Sequence, residues 1–185
     1  MKELNLPTGE TVSFSFKITD EGYLLGGNNT IGEDEFGSLK IARDNGGKIL
    51  FGSSFLEREM DSIIKQYFLG SLSCPDDRFP LFEETILQGA LSFNSKKDII
   101  HQIAHIRKAL KKKDKSSLQM NLKKMMVWRN AFAHGHVMYD SSDGCFVEYY
   151  TSNTQALILD DHYWLNVEKT YGNCLELLKT LKDSL

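Results

Sequence analysis

The 185-residue chain has no apolar run near the ~20 residues that a membrane span requires. Its start, MKELNLPTGE, lacks the apolar segment of a signal peptide, so export is not expected. Cysteine is scarce: Cys74, Cys145 and Cys174 are far apart, and no CxxC pair occurs. That argues against a disulfide framework or a cysteine zinc site and points to a reducing cytoplasm. The stretch GGNNTIGEDEFG has glycines, but neither GxGxxG order nor GK[ST] follows, so no nucleotide loop is expected. No internal repeat and no low-complexity segment occurs. Net charge is only −3, little support for bulk binding of nucleic acid.

What remains is ordinary in amount, with 41% hydrophobic and 25% charged residues. Such a chain builds one domain with a proper core, or one domain plus an appendage. The charge is unevenly placed. From Arg107 to Lys124 there are eight basic residues and one acid, Asp114, so this window carries +7 and the rest −10. Lys108, Lys111, Lys112, Lys113, Lys115, Lys123 and Lys124 are the candidates to hold an RNA backbone. The plainer reading of the same run is a solvated corner between two helices.

Residues 1–50 read as a β-rich segment. TVSFSFKI alternates Val12, Phe14, Phe16 and Ile18 with polar residues, a period of two. YLLGG, SLKIA and GKILFG read as further short strands, and GGNNTIGEDEFG as a loop. From about residue 51 the period becomes helical. Phe55, Leu56, Met60, Ile63, Ile64 and Tyr67 mark a first helix, with Ser53 or Ser54 as N-cap and Gly70 as stop. CPDDRFP reads as a loop and LFEETILQGALSF as a second helix. NSKKDIIHQIAHIRKALKKK reads as a third helix, started at Ser95 with Asp98 in the capping-box position. Its apolar stripe is Ile99, Ile103, Ile106 and Leu110. Residues 116–134 form a fourth helix, ended by Gly135.

Asp143-Gly144 between two apolar runs predicts a β-hairpin, and TQALILDD a further strand. The chain then closes with an amphipathic helix carrying Trp164, Val167, Tyr171, Leu175 and Leu178 on one face, capped by Asp160 or Asp161. The fold class expected is mainly α: a four-helix bundle over residues 51–185 with a β insert at about 136–160 and a last helix.

The chemistry concentrates in VWRNAFAHGH, residues 127–136. With Leu118 as zero on a helical wheel, Leu122, Met125, Met126, Phe132 and Ala133 fall at about 40°, 340°, 80°, 320° and 60°, the expected buried stripe. Arg129 falls at about 20°, within it, and Asn130 and His134 fall at about 120° and 160°, on its flank. A buried guanidinium needs a partner, a cavity or another subunit. The plain reading pairs Arg129 with Glu57, Glu59 or Asp61 and makes His134 a helix C-cap.

RNAFAH also fits the Arg-x4-His pattern of the HEPN superfamily, small helical domains of which many are ribonucleases. LFEETILQGALSFNSKKDIIHQIA resembles the lead-in of the mannitol-operon-repressor-like branch, where a small–Ser–Phe segment precedes a lysine-bearing helix. The resemblance covers about residues 51–135. It implies a HEPN-type bundle and a metal-independent endoribonuclease, with a role as toxin or defence effector. Arg129, Asn130 and His134 would be its catalytic residues. It implies RNA as partner, a homodimer that pairs two such helices, a protein antitoxin or regulatory partner, no membrane, and neither cofactor nor metal. Members regarded as regulators leave a second reading: a non-catalytic regulatory or interaction protein. The dimer is expected through the third and fourth helices, with Leu122, Met125 and Met126 as an adaptable methionine-rich patch. His101 and His105, at i and i+4, make a weaker two-ligand metal face without the glutamate of HExxH.

Overall fold

A computed structural model describes residues 3–4, 33–70 and 78–185. The expected strands at Val12–Ile18 and near Tyr23 lie outside the described residues. The molecule is mainly helical, with a small three-stranded antiparallel sheet.

Helix α1 runs Glu33–Leu69. It overturns the strands expected at SLKIA and GKILFG and the loop expected at Glu33–Gly37. The buried positions Leu39, Ala42, Gly46, Ile49, Ser53, Leu56, Met60, Ile63 and Ile64 recur every three or four residues, which makes one helical stripe. Gly46, Gly47 and Gly52 lie inside the helix although glycine is a poor helix former. Gly46 instead admits a neighbour: a Cβ there would lie under 3.0 Å from the ring of Phe132. Ser53, expected as a cap, is buried mid-helix, and Ser54 Oγ donates to the Leu50 carbonyl. The expected stop is present. Gly70 has φ +79°, and its N–H donates to the Gln66 carbonyl at 3.0 Å. Leu4 is buried against α1, where its N–H donates to Asn45 Oδ1 at 2.8 Å.

A short helix α2, Arg78–Leu81, continues as a π-helical stretch over Phe82–Gln88. Helix α3, Phe93–Arg107, starts earlier than expected: Ser92, not Ser95, is the N-cap and accepts from Ser95 N–H at 3.2 Å. This start carries Phe93 into the core, and Asp98 is left to pair with Lys97 at 3.0 Å. Lys108, at φ 53°, ends α3 before the expected Lys113. Ile106 is exposed rather than part of the apolar stripe.

Helix α4, Lys112–His134, packs against α1, α3 and the last helix α5, Asp161–Lys182. Asp160 caps α5, its Oδ1 accepting from Tyr163 N–H at 2.6 Å. Between them lie β1 His136–Asp140, β2 Gly144–Tyr150 and β3 Thr154–Ile158, in the order β1-β2-β3. Gly144, at φ +73°, makes the expected hairpin turn with Asp143. Cys145 and Val147 face inward and are buried, while His136, Met138, Phe146, Glu148 and Ile158 lie on the outer face. Trp128, Tyr163, Trp164 and Phe132 stack edge-on or tilted at centroid distances of 4.8–6.2 Å, an aromatic floor beneath the end of α4.

Candidate functional site

The last two turns of α4 are anchored on one side and open on the other. Trp128 and Ala131 are buried, and Phe132 packs between Gly46 and Trp164. Arg129 is half-buried, and Asn130 and His134 are exposed. The buried arc of α4 runs from about 220° at Ala131 through 280° at Trp128 to 40° at Leu122, and Arg129, at about 20°, lies inside it near the Leu122 end. Ala133, expected in the stripe, is exposed.

The acids offered as partners for Arg129 are engaged elsewhere. Lys96, 2% exposed, places its Nζ 2.9 Å from Glu57 Oε1 and 3.0 Å from Asp61 Oδ2. Asp61 Oδ1, 2.9 Å from the same nitrogen, lacks hydrogen-bond geometry. Burial raises the Asp61 carboxyl above its ordinary value against the opposing pull of Lys96. Glu59 pairs with Lys182 at 3.2 Å. Arg129 forms no ion pair or hydrogen bond among the described residues. The expected salt bridge is absent there, because lysines of α3 and α5 reach these carboxylates first.

Gly135 follows His134 for a packing reason. Its φ of −99° is open to any residue, but a Cβ would lie 2.6 Å from the Glu148 carbonyl oxygen and against that of Ala131. The Gly135 N–H donates to Ala131 at 2.8 Å, closing the helix. Helix end and central strand are thus in backbone contact, and His134 sits at a rigid corner.

The basic candidates lie elsewhere on the same helix. Lys108, Lys111, Lys112 and Lys113 are exposed around the α3–α4 corner. That corner is 22 residues before His134, about 33 Å along α4. Lys123 and Lys124 are exposed midway. Lys112, Lys123, Asn130 and His134 fall between about 120° and 160°, one solvent-facing stripe. Lys115 is half-buried, with Nζ 3.5 Å from His105 Nδ1. Arg107 is drawn away: Nη2 donates to the carbonyls of Ser184 and Leu185 at 3.3 Å each.

The patch expected to drive dimerisation is not a surface. Leu122 and Met125 are fully buried and Met126 is half-buried, because they fill the core between α4 and its neighbours. Among the described residues no three His, Cys, Asp or Glu side chains are grouped to hold a metal ion, His101 and His105 included. No described helix is long and apolar enough to cross a membrane.

Compared with family models, curated proteins and solved structures, the chain matches none. The site therefore rests on its own geometry. Two neighbours of His134 were not singled out in the sequence: His136, exposed at the start of β1, and Glu148, its direct cross-strand partner on β2. The hairpin signal was legible, but the register that sets them opposite each other depends on the fold. A concavity of about 520 Å³ lies at the far end of the hairpin, lined by Tyr139, Asp143, Cys145, Asp160, Asp161 and His162 among others. It contains none of the expected site residues.

Proposed function

We propose that this chain is an endoribonuclease of the kind that the RNAFAH resemblance implies, acting without metal at the C-terminal end of α4. The observation that carries the reading is Arg129. A guanidinium is half-buried with no counter-charge among the described residues, although three carboxylates of α1 are each matched to a lysine. An arginine left free in this way suits an anionic ligand, and its planar fork matches two phosphate oxygens.

In this mechanism the RNA 2′-hydroxyl attacks the adjacent phosphorus. The new 2′-O–P bond forms as the P–5′-O bond breaks, giving a cyclic phosphate and a 5′-hydroxyl. His134, exposed at the end of α4, takes the 2′-hydroxyl proton as general base. Arg129 holds the phosphate oxygens and offsets the charge that builds up on them. Asn130, one turn before His134 on the same stripe, orients the phosphate or the imidazole. The lysines at Lys108, Lys111, Lys112, Lys113, Lys115, Lys123 and Lys124 attract the RNA backbone and guide it along α4 toward the site. A HEPN-type bundle and a homodimer belong to the same proposal.

A regulatory protein that binds RNA without cutting it is the second reading. It is favoured by the ~33 Å between the lysine corner and the motif, since a binding patch needs no active centre beside it. One assay separates the two. Purified protein is incubated with varied single-stranded RNAs in EDTA, and the products are tested for 2′,3′-cyclic phosphate ends. The nuclease reading expects cutting that His134→Ala and Arg129→Ala both abolish. Wild-type protein that binds RNA and leaves it whole, with or without divalent metal, decides for the regulatory reading.

A further inference from the structure

Displacement at phosphorus is in line, so the attacking 2′-oxygen and the leaving 5′-oxygen stand on opposite sides. One imidazole cannot serve both sides at once, and the motif of one chain supplies only one. We infer that His136 is the second proton-transfer group, donating to the leaving 5′-oxygen, with Glu148 as the residue that positions it. The inference rests on the nuclease reading and supplies the second proton-transfer group from the same chain as His134.

Three observations support it. First, His136 is exposed and two residues from His134, so their Cα atoms are at most about 7 Å apart. Both rings can then reach one phosphodiester. Second, the residue between them is held in an extended conformation, with Gly135 pressed against the Glu148 carbonyl, so the spacing of the two histidines is set by backbone packing. Third, the strand register places Glu148 directly opposite His136 on the outer face of the sheet. Cross-strand Cβ atoms are about 4.5–5.5 Å apart, within reach of a carboxylate–imidazole hydrogen bond after a rotamer change. The two side chains form no ion pair with each other. Protonated His136 has two N–H donors: one meets Glu148 and fixes the ring, and the other faces the leaving oxygen. The proton balance then closes. His134 gains the 2′-hydroxyl proton, His136 loses one to the 5′-oxygen, and solvent restores both.

The test compares two substrates. One is a short RNA with a single cleavable linkage. The other is the same RNA with sulfur in place of the bridging 5′-oxygen, a leaving group that departs without a proton. On the oxygen substrate His136→Gln is expected to lose at least about 100-fold in kcat/KM, the usual worth of a general acid. On the sulfur substrate it is expected to cut close to the wild-type rate, whereas His134→Gln stays slow on both. Glu148→Gln is expected to lower kcat and move one limb of the pH–rate profile, with Glu148→Asp restoring part of the rate. An effect through folding alone would move neither limb. The inference is overturned if His136→Gln cuts the oxygen substrate like wild type, or if sulfur brings no recovery. Wild-type protein that cuts neither substrate sinks the nuclease reading itself, and this inference with it.

Discussion

Arg129 is the residue on which the readings divide. Had it been a structural salt-bridge partner, its removal would strand a carboxylate at a cost of about 3–5 kcal/mol. With Glu57, Glu59 and Asp61 already paired, Arg129→Ala is expected to cost less than about 1 kcal/mol in a urea titration while abolishing cleavage. A loss above that range would return Arg129 to a structural role. His134→Ala, at an exposed helix end, is likewise expected to cost at most about 1 kcal/mol. Gly135→Ala is the opposite case. It touches no substrate, yet the methyl group meets two backbone carbonyls, so about 1–3 kcal/mol should be lost. Thermal melts that place Gly135→Ala beside the wild type would show that the corner is not rigid.

At the scale of elements, α1 and α3 are pinned by Lys96 between Glu57 and Asp61. Lys96→Ala leaves two carboxylates without their cation, and a loss of about 3–5 kcal/mol is expected, toward the lower end because both acids keep some solvent contact. The pH dependence has a definite sign. The Asp61 carboxyl is raised by burial, so the folded chain holds its proton more tightly than the unfolded one. This contribution favours folding below the ordinary carboxylate value and is lost as pH rises through the raised one. Asp61→Asn leaves a one-to-one Lys96–Glu57 pair. Its Tm at neutral pH should be no lower than that of the wild type, and it should lose less stability as pH rises above about 4. A variant that melts well below the wild type at neutral pH would show that the second carboxylate is a net stabiliser.

Across the whole molecule, α4 carries a basic corner at one end and the motif at the other. Replacing Lys111, Lys112 and Lys113 with alanine should weaken RNA binding and flatten its dependence on salt, because fewer counterions are released. The cleavage step on saturating RNA should change little, since the corner is about 33 Å from His134. Unchanged salt dependence would make the corner a solvated surface. The dimer has lost its proposed patch to the core and now stands on the resemblance alone. Light scattering at micromolar concentration tests it, and a monomer that still cuts RNA would place the whole site in one chain.

Local periods were enough to find helical sequence after residue 51, though not the bounds of the first three helices, and local signals marked the Gly70 stop, the Asp143-Gly144 turn and the Asp160 cap. Each depends on a few neighbouring residues and on backbone preferences that act at short range. The same local logic misread residues 33–50 as a loop and short strands. Only packing reveals that Gly46 makes room for Phe132. Position along α4 was also legible, which is why RNAFAH fell where expected, at a helix end. Which group pairs with which was not. Lys96 takes the acids assigned to Arg129, Leu122 and Met125 vanish into the core, and Glu148 arrives opposite His136. A charge or an apolar side chain settles on the partner that the fold brings near, and that choice is made between segments far apart in the chain. The sequence by itself determined the helical order and the chemistry on offer; the tertiary structure decided which of those groups were left free to use it.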